Sequence, residues 1–184
     1  MRKYWIRGVF GLTGSGKTTL LARAAAKHIK SGGKVYSNFP LKGCYRLDIE
    51  KLGDFVPPEN SLLLIDEISM ICDCRQWKYF DSNLQYFFTH HRKHKCSIFW
   101  ASQSFGDADK KIRNLTDKLY HCYSWHFGLC SAYPVEKFQR LEHFAYQEGY
   151  EESCLPLLYS PKKWGKLFDT DYKRELPPLD CSLW

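Results

Sequence analysis

The stretch "YWIRGVFGLTGSGKTTLLARAAAKHIK" narrows what this chain can fold into more than any other, because three kinds of local structure follow one another in it without a break. Tyr4–Phe10 is short and rich in apolar residues, which predicts a strand. Thr18–Lys30 has helical periodicity, a basic last turn at Lys27, His28 and Lys30, and a stop at Gly32-Gly33. Between them Gly11, Gly16, Lys17 and Thr18 occupy the fixed places of the pattern G-x-x-x-x-G-K-[ST]. Glycines there leave backbone N–H groups uncovered. The loop running through Gly11, Leu12, Thr13, Gly14, Ser15, Gly16, Lys17, Thr18 and Thr19 is therefore expected to surround the phosphates of ATP, helped by the positive end of the helix dipole. Lys17 would reach the β- and γ-phosphates and Thr18 would hold Mg²⁺. A chance glycine-rich turn has no reason to carry a strand before it and a helix after it.

The remaining pattern continues the alternation. "KVYS" (Lys34–Ser37) reads as a second strand stopped by Pro40, and "LDIEKLGDF" as a short helix before Pro57-Pro58. "SLLLIDE" is apolar throughout yet too short for an ordinary helix, which suits a central parallel strand covered on both faces. "SNLQYFFTHHRKH" reads as a helix opened by a Ser82/Gln85 capping box, with Leu84, Phe87, Phe88 and His91 on its core face. "CSIFWASQ" repeats the buried-strand pattern and "DADKKIRNLTDK" is helical. The fold class expected is α/β, a P-loop NTPase with a largely parallel central sheet flanked by helices. Beyond Lys118, "LYHCYSWHF" and "KFQRLEHFAY" alternate aromatic and polar residues about a turn near Pro134, which predicts an antiparallel hairpin added to the sheet edge and then an extended tail. The expectation is one domain over residues 1–184, with a core at about 1–130 and the hairpin and tail at about 118–184.

Two acids complete the site. Asp66 ends the buried strand "LLLI" and is expected to bind in the Mg²⁺ sphere, while the neighbouring Glu67 would polarise the attacking water. Gln103 closes the next strand at the same edge and would sense the γ-phosphate or orient that water. An acid pair at a strand end is ordinarily a solvated turn; beside the glycine loop it acquires a purpose. His90, His91 and His94 read as packing or surface residues.

Composition adds limits. The formal charge of +7 suits an anionic partner, nucleic acid or acidic lipid. The cysteines have no C-x-x-C pair, and "MRKYWIRGVF" reaches the glycine loop before a signal peptide develops, so reduced thiols in a cytoplasmic protein are expected and a metal cluster is not. No apolar run approaches the roughly 20 residues that span a bilayer.

In order along the chain, "VFGLTGSGKTTL", "KVYSNFP", "LLLIDE", "FFTHHRKHKCSIFWASQSF", "KKIRNLTDK" and "WGKLFDTDY" resemble the zonular occludens toxin family of ATPases, which includes filamentous-phage assembly and export proteins and is related to the FtsK and HerA DNA-pumping motors. The most discriminating pieces are Asn38 and Pro40, Arg92 and His94, Gln103, and the closing "LFDT". The resemblance implies an ATPase that extrudes or packages phage DNA, alone or as a DNA–protein complex, and works as a homo-oligomeric ring such as a hexamer. Phage members typically continue into a membrane-spanning helix. Here either a separate membrane-embedded assembly protein is implied, recruiting the chain to the inner face of the host membrane, or a motor acting in the cytoplasm. A ring also lets one subunit lend an arginine to its neighbour's phosphates; Arg92 is the favoured donor and Arg113, in "KKIRNL", the second. Two other readings compete. A P-loop kinase of a nucleotide or small metabolite would carry an arginine-rich lid and no acid after Asp66. A binding module with a vestigial loop would not keep every chemically required position.

Overall fold

Apolarity without alternation in "SLLLI" and "CSIFWA" has the expected consequence of burial on both faces. The computed structural model describes residues 3–49, 51–52, 56–70, 82–125, 128–142 and 145–168. Within them β1 (Ile6–Phe10), β2 (Lys34–Ser37), β3 (Tyr45–Arg46), β4 (Ser61–Ile65) and β5 (Cys96–Ser102) pair in parallel. Successive residues of β4 divide between two cores. Leu62 and Leu64 join Val9, Leu21, Val35 and Phe99 on the side of helix α1 (Lys17–Lys30). Leu63 and Ile65 join Ile6, Ile98, Trp100 and Phe87 on the side of α2 (Ser82–His90). Leu62, Leu63, Leu64 and Ile65 are each at most 1% exposed, and at about 1.5–3 kcal/mol for each buried aliphatic side chain this places the strand inside the sheet.

The sheet order is β3-β2-β4-β5-β1-β6-β7-β8, with β9 (Leu157–Tyr159) also pairing with β7. β6 (Lys118–Trp125) runs parallel to β1 and begins an antiparallel meander with β7 (Leu129–Glu142) and β8 (Ala145–Glu152). The chain has the P-loop NTPase architecture that its strand, loop and helix order predicts, with an antiparallel extension.

Several local expectations need correction. The described part of "LDIEKLGDF" is a turn at Lys51 and a bridge at Leu52 rather than a helix, because Leu47, Ile49 and Leu52 are all drawn into the α2-side core. The helix expected from "DADKKIRNLTDK" shrinks to α3 (Lys110–Leu115), capped by Asp109 accepting from the Lys111 N–H at 2.7 Å, and Lys118 already belongs to β6. Pro134 is not at a turn: it lies inside β7 opposite Tyr120. Its missing N–H is tolerated because β8 stops at Val135 and β9 begins at Ala132, so Pro134 falls in the gap between them, and its carbonyl accepts from Ser153 N–H at 2.8 Å. The described start of the tail leaves β9 at Tyr159 and forms α4 (Pro161–Trp164), with proline at its start, and a 3₁₀ turn over Gly165–Leu167, while the rest of the segment expected to be extended, residues 169–184, lies outside the described residues. Ser82 is already helical, and Gln85 accepts from Lys111 Nζ at 3.2 Å instead of closing a capping box.

Candidate active site

The loop between β1 and α1 is shaped by positive φ angles at Gly11 (149°), Gly14 (79°) and Gly16 (94°). Gly16 caps α1, and a Cβ there would come within 2.6 Å of Cys130 Sγ. At Gly11 a Cβ would meet the Cys122 carbonyl at 2.6 Å. Lys17 is buried, and its ammonium donates to the carbonyls of Gly11 (2.8 Å) and Leu12 (3.1 Å). Ser15 Oγ is buried in the same loop with no hydrogen-bond partner, while Leu12 is 82% exposed at its tip.

Parallel pairing brings the C-terminal ends of β1, β4 and β5 together. Thr18 Oγ1 donates to Asp66 Oδ2 at 2.8 Å, joining the first turn of α1 to the end of β4. Asp66 is held by its backbone as well: its N–H donates to Asn38 Oδ1 and its carbonyl accepts from Asn38 Nδ2, both at 2.8 Å. One side chain from the end of β2 thus continues the sheet ladder past the point where β2 stops. Glu67 follows with φ of 51°, a left-handed backbone that costs a non-glycine residue about 1–2 kcal/mol. The turn sends the glutamate toward Gln103, whose Nε2 lies 3.4 Å from Glu67 Oε1.

Burial raises the Asp66 carboxyl above the usual aspartate range, against the opposing pull of the Thr18 hydroxyl, the Glu67 N–H and Lys17. Burial, then the Asp66 charge, raises Glu67, while Gln103 and Lys17 work the other way. Both acids therefore hold protons more readily than free carboxylates do, the direction that suits a water-polarising base. The donor set tests well for ATP and Mg²⁺. A threonine hydroxyl and an aspartate oxygen are hard ligands suited to Mg²⁺, and the glycine cradle with the unpartnered Ser15 hydroxyl suits phosphate.

The two arginines lie elsewhere. Arg92, in the turn leading into β5, donates to Asp117 Oδ1 at 2.9 Å, and Asp117 Oδ2 accepts from the N–H of Ile6 at the start of β1. It is therefore at the edge of the sheet opposite the loop, with its side chain 48% exposed. Arg113 on α3 places its guanidinium 4.7 Å from the centre of the Phe105 ring, and its Nε is buried without a partner. The histidines pack: buried His91 binds the Phe88 carbonyl through Nδ1 at 2.8 Å, and His94 stacks on Phe87.

Sequence reasoning missed the support beneath the loop. Tyr159 of β9 donates from its hydroxyl to the Gly16 carbonyl at 3.1 Å and lies 3.2 Å from Cys122 Sγ. Nothing in "GSGKTT" announces partners more than a hundred residues away. Asn38 was legible only as a discriminating residue; a polar amide directly after a buried strand that neighbours the Asp66 strand is the signal for its clamp.

This arrangement defines a P-loop NTPase fold. It is similar to the crystal structure of the N-terminal domain of zonular occludens toxin from Neisseria meningitidis, with TM-score 0.65 and 20% identity over 91% of this chain and 100% of that one. It is also similar to the genome packaging NTPase B204 from Sulfolobus turreted icosahedral virus 2 in complex with ATP-gammaS, with TM-score 0.54 and 15% identity over 68% of this chain and 77% of that one. The ATPase domain of G40P matches with TM-score 0.53 and 8% identity over 83% and 81% of the two chains. No curated protein sequence matches. The family model for zonular occludens toxin (Zot) matches residues 40–171, starting after the glycine loop, and the chain belongs to that family.

Proposed function

We propose that the chain is a Mg²⁺-dependent ATP hydrolase that works as a motor in phage assembly and export or in DNA packaging and translocation. The observation that carries the reading is the 2.8 Å hydrogen bond from Thr18 to Asp66, which joins the phosphate loop to the acid of β4 and sets Glu67 beside both. Mg²⁺ and nucleotide supply a phosphoryl group whose charge the metal screens. The chain's own residues do the rest. Lys17 holds the β- and γ-phosphates, Thr18 and Asp66 bind the metal, Glu67 takes a proton from water at a carboxylate oxygen, and Gln103 orients that carboxylate. Asn38 positions Asp66 through the peptide groups on either side of its Cα.

The motor part of the reading is supported by family membership and by the likeness to a genome packaging NTPase. It includes a homo-oligomeric ring, phage DNA or a DNA–protein complex as cargo, and a place in the host cytoplasm, either free or at the inner face of the membrane beside a separate membrane-embedded protein. No helix among the described residues is long and apolar enough to cross a membrane. The half-exposed Arg92, oriented by Asp117, is freer to reach a neighbouring subunit than Arg113 with its buried Nε. One domain, with the meander and tail attached to the parallel core, completes the proposal.

Steady-state phosphate release from ATP with no acceptor present tests it. Wild type should turn over with Mg²⁺ and stop with a chelator; Lys17→Ala should lose nucleotide binding. Glu67→Gln should still bind ATP and turn over about 10²–10⁴-fold more slowly. Unchanged turnover in Glu67→Gln would remove Glu67 as the base, and phosphate transfer only to an added small acceptor would make the protein a kinase.

A further inference from the structure

The outer side of α1 carries a basic trough that the nucleotide site does not use. Arg23, Lys27 and Lys30 recur at helical spacing, so they leave the helix on one face, away from the buried Leu21, Ala22 and Ala25. Two hollows of about 280 Å³ and about 560 Å³ lie along this face, and they adjoin at Arg23 and Lys27, which line both. Arg7 of β1 adds a charge to the first hollow and Lys163 of α4 to the second. No carboxylate lines either one among the described residues. Outside the trough, Arg92 pairs with Asp117, Lys95 with Glu59 and Lys51 with Asp48, whereas Arg23, Lys27 and Lys30 share one helix face with no acid on it among the described residues. A run of unmatched like charges repels itself, and an anion lying along it relieves that repulsion.

The hollows also present aromatic rings next to those charges. The Arg7 guanidinium lies 3.9 Å from the centre of the Trp5 ring in the first, and the Lys163 ammonium 5.1 Å from that of Trp164 in the second. Tyr120 adds a third partly buried ring to the first hollow. Arg23 is oriented between them by donating to the Leu158 carbonyl at 3.0 Å. A cation beside a flat ring, repeated at both ends of a trough, matches a polymer that alternates negative charge with flat rings. An acidic peptide or an anionic lipid headgroup would satisfy the cations and leave the tryptophans without a purpose. A duplex keeps its base faces stacked inside and cannot offer them to a concave wall.

We infer that this trough binds single-stranded nucleic acid, with phosphates on Arg23, Lys27 and Lys30 and bases against Trp5 and Trp164. The strand would then lie along the helix whose first turn carries Lys17 and Thr18, so cargo and nucleotide would act on one rigid element. The inference rests on the DNA-handling part of the proposed function for its purpose, while the binding itself needs no ATP.

The test is fluorescence anisotropy of a labelled oligothymidylate with the full chain and no nucleotide, each variant first shown to be folded by its circular dichroism melt. Wild type should bind with an affinity that falls as salt rises. The double variant Lys27→Glu/Lys30→Glu should weaken binding at least about tenfold and lower the salt slope by about 0.7 for each phosphate that is no longer neutralised. Lys51→Glu makes the same change of sign outside the trough and should leave binding as it was. Trp164→Leu and, separately, Trp5→Leu should weaken oligothymidylate about fivefold or more, yet leave an abasic phosphodiester of equal length unaffected. Lys17→Ala should bind oligothymidylate like wild type, which separates this inference from the fate of the hydrolase reading. The inference is overturned if wild type does not bind, if Lys51→Glu weakens binding as much as the trough variant, or if both tryptophan variants bind the two polymers alike. Equal affinity for duplex also overturns it, as does capture of the chain by phosphatidylglycerol vesicles through Lys27 and Lys30 in place of the oligonucleotide.

Discussion

The nucleotide edge of the parallel strands and the β6–β9 meander meet at the same loop, and they treat it in opposite ways. Along the parallel edge, Thr18, Asp66, Glu67 and Gln103 converge from separate places in the chain, two carboxylates side by side with one left-handed backbone between them. Such an arrangement stores unfavourable energy for use in chemistry. On the meander side Cys122, Cys130 and Tyr159 are buried and neutral, with Cys130 and Tyr159 packed against Gly16 and the Cys122 carbonyl against Gly11. Burial pushes the Cys122 thiol up to about 12 and raises Tyr159 further still, so no charge enters there. The contrast teaches that the loop is held from beneath by an inert clasp and left reactive above.

The strongest way to break that division is to force the two regions apart. Gly16→Ala places a Cβ within 2.6 Å of Cys130 Sγ at a φ of 94°, so both backbone strain and overpacking oppose it. A loss of about 2–4 kcal/mol is expected in denaturant unfolding, together with loss of ATP binding. Adding Cys130→Ala should recover part of the packing share, since Cys130 Cβ and the Tyr159 hydroxyl stay 3.1 Å away, and leave the strain. Full recovery would mean that the left-handed backbone costs nothing.

Asn38→Ala acts on the reactive side alone. It removes a donor and an acceptor at once, leaving the Asp66 N–H and carbonyl without their partner, which costs about 1–3 kcal/mol. Turnover should fall more than ATP affinity does, because Asp66 loses its orientation while Lys17 and the loop stay in place. Equal falls in both would make Asn38 a purely structural residue.

How much of this was visible in the sequence follows the same boundary. In the parallel half the apolar runs of β4 and β5 determine burial directly, and a loop pattern bound to one backbone geometry brought Gly16, Lys17, Thr18, Asp66, Glu67 and Gln103 to one edge as expected. In the meander, alternation gave strands but not their turns. Pro134 looked like a breaker because the gap between β8 and β9 that accommodates it exists only after both strands have paired. The helix expected at "LDIEKLGDF" failed for a similar reason, since burial of Leu47 and Ile49 is a tertiary demand that local periodicity does not reveal. Lys27 and Lys30 read only as a helix's basic end; Arg23 extends their face by one turn, and their companions Arg7 and Lys163 are joined to them by folding.

Tyr159→Phe acts on the inert side alone. It deletes one hydroxyl that donates to the Gly16 carbonyl and leaves Cys122 Sγ without its neighbour, so about 1 kcal/mol of stability should be lost. The melt should shift downward with little dependence on pH across the neutral range, because neither the raised tyrosine nor the raised thiols titrate there.

Glu67→Gln should do the reverse, and its sign distinguishes the two regions even though its size is the smallest. Burial and the neighbouring Asp66 charge raise the Glu67 carboxyl, so the folded chain binds its proton more tightly than the unfolded chain does. Where the folded state holds more protons, stability falls as pH rises. The wild type therefore gains stability as pH drops through the raised value toward the ordinary glutamate range, and at neutral pH it carries an unrelieved pair of carboxylates. Glutamine keeps an oxygen that accepts from Gln103 and carries no charge, so the variant should melt higher than wild type at neutral pH. The gain should stay under about 1 kcal/mol, since Glu67 is partly solvated and screened. It should disappear in acid, once both chains are neutral at this position. A melt at neutral pH no higher than wild type would show that the acid pair is not repelled in the free protein, and the reactive edge would then be as inert as the clasp beneath it.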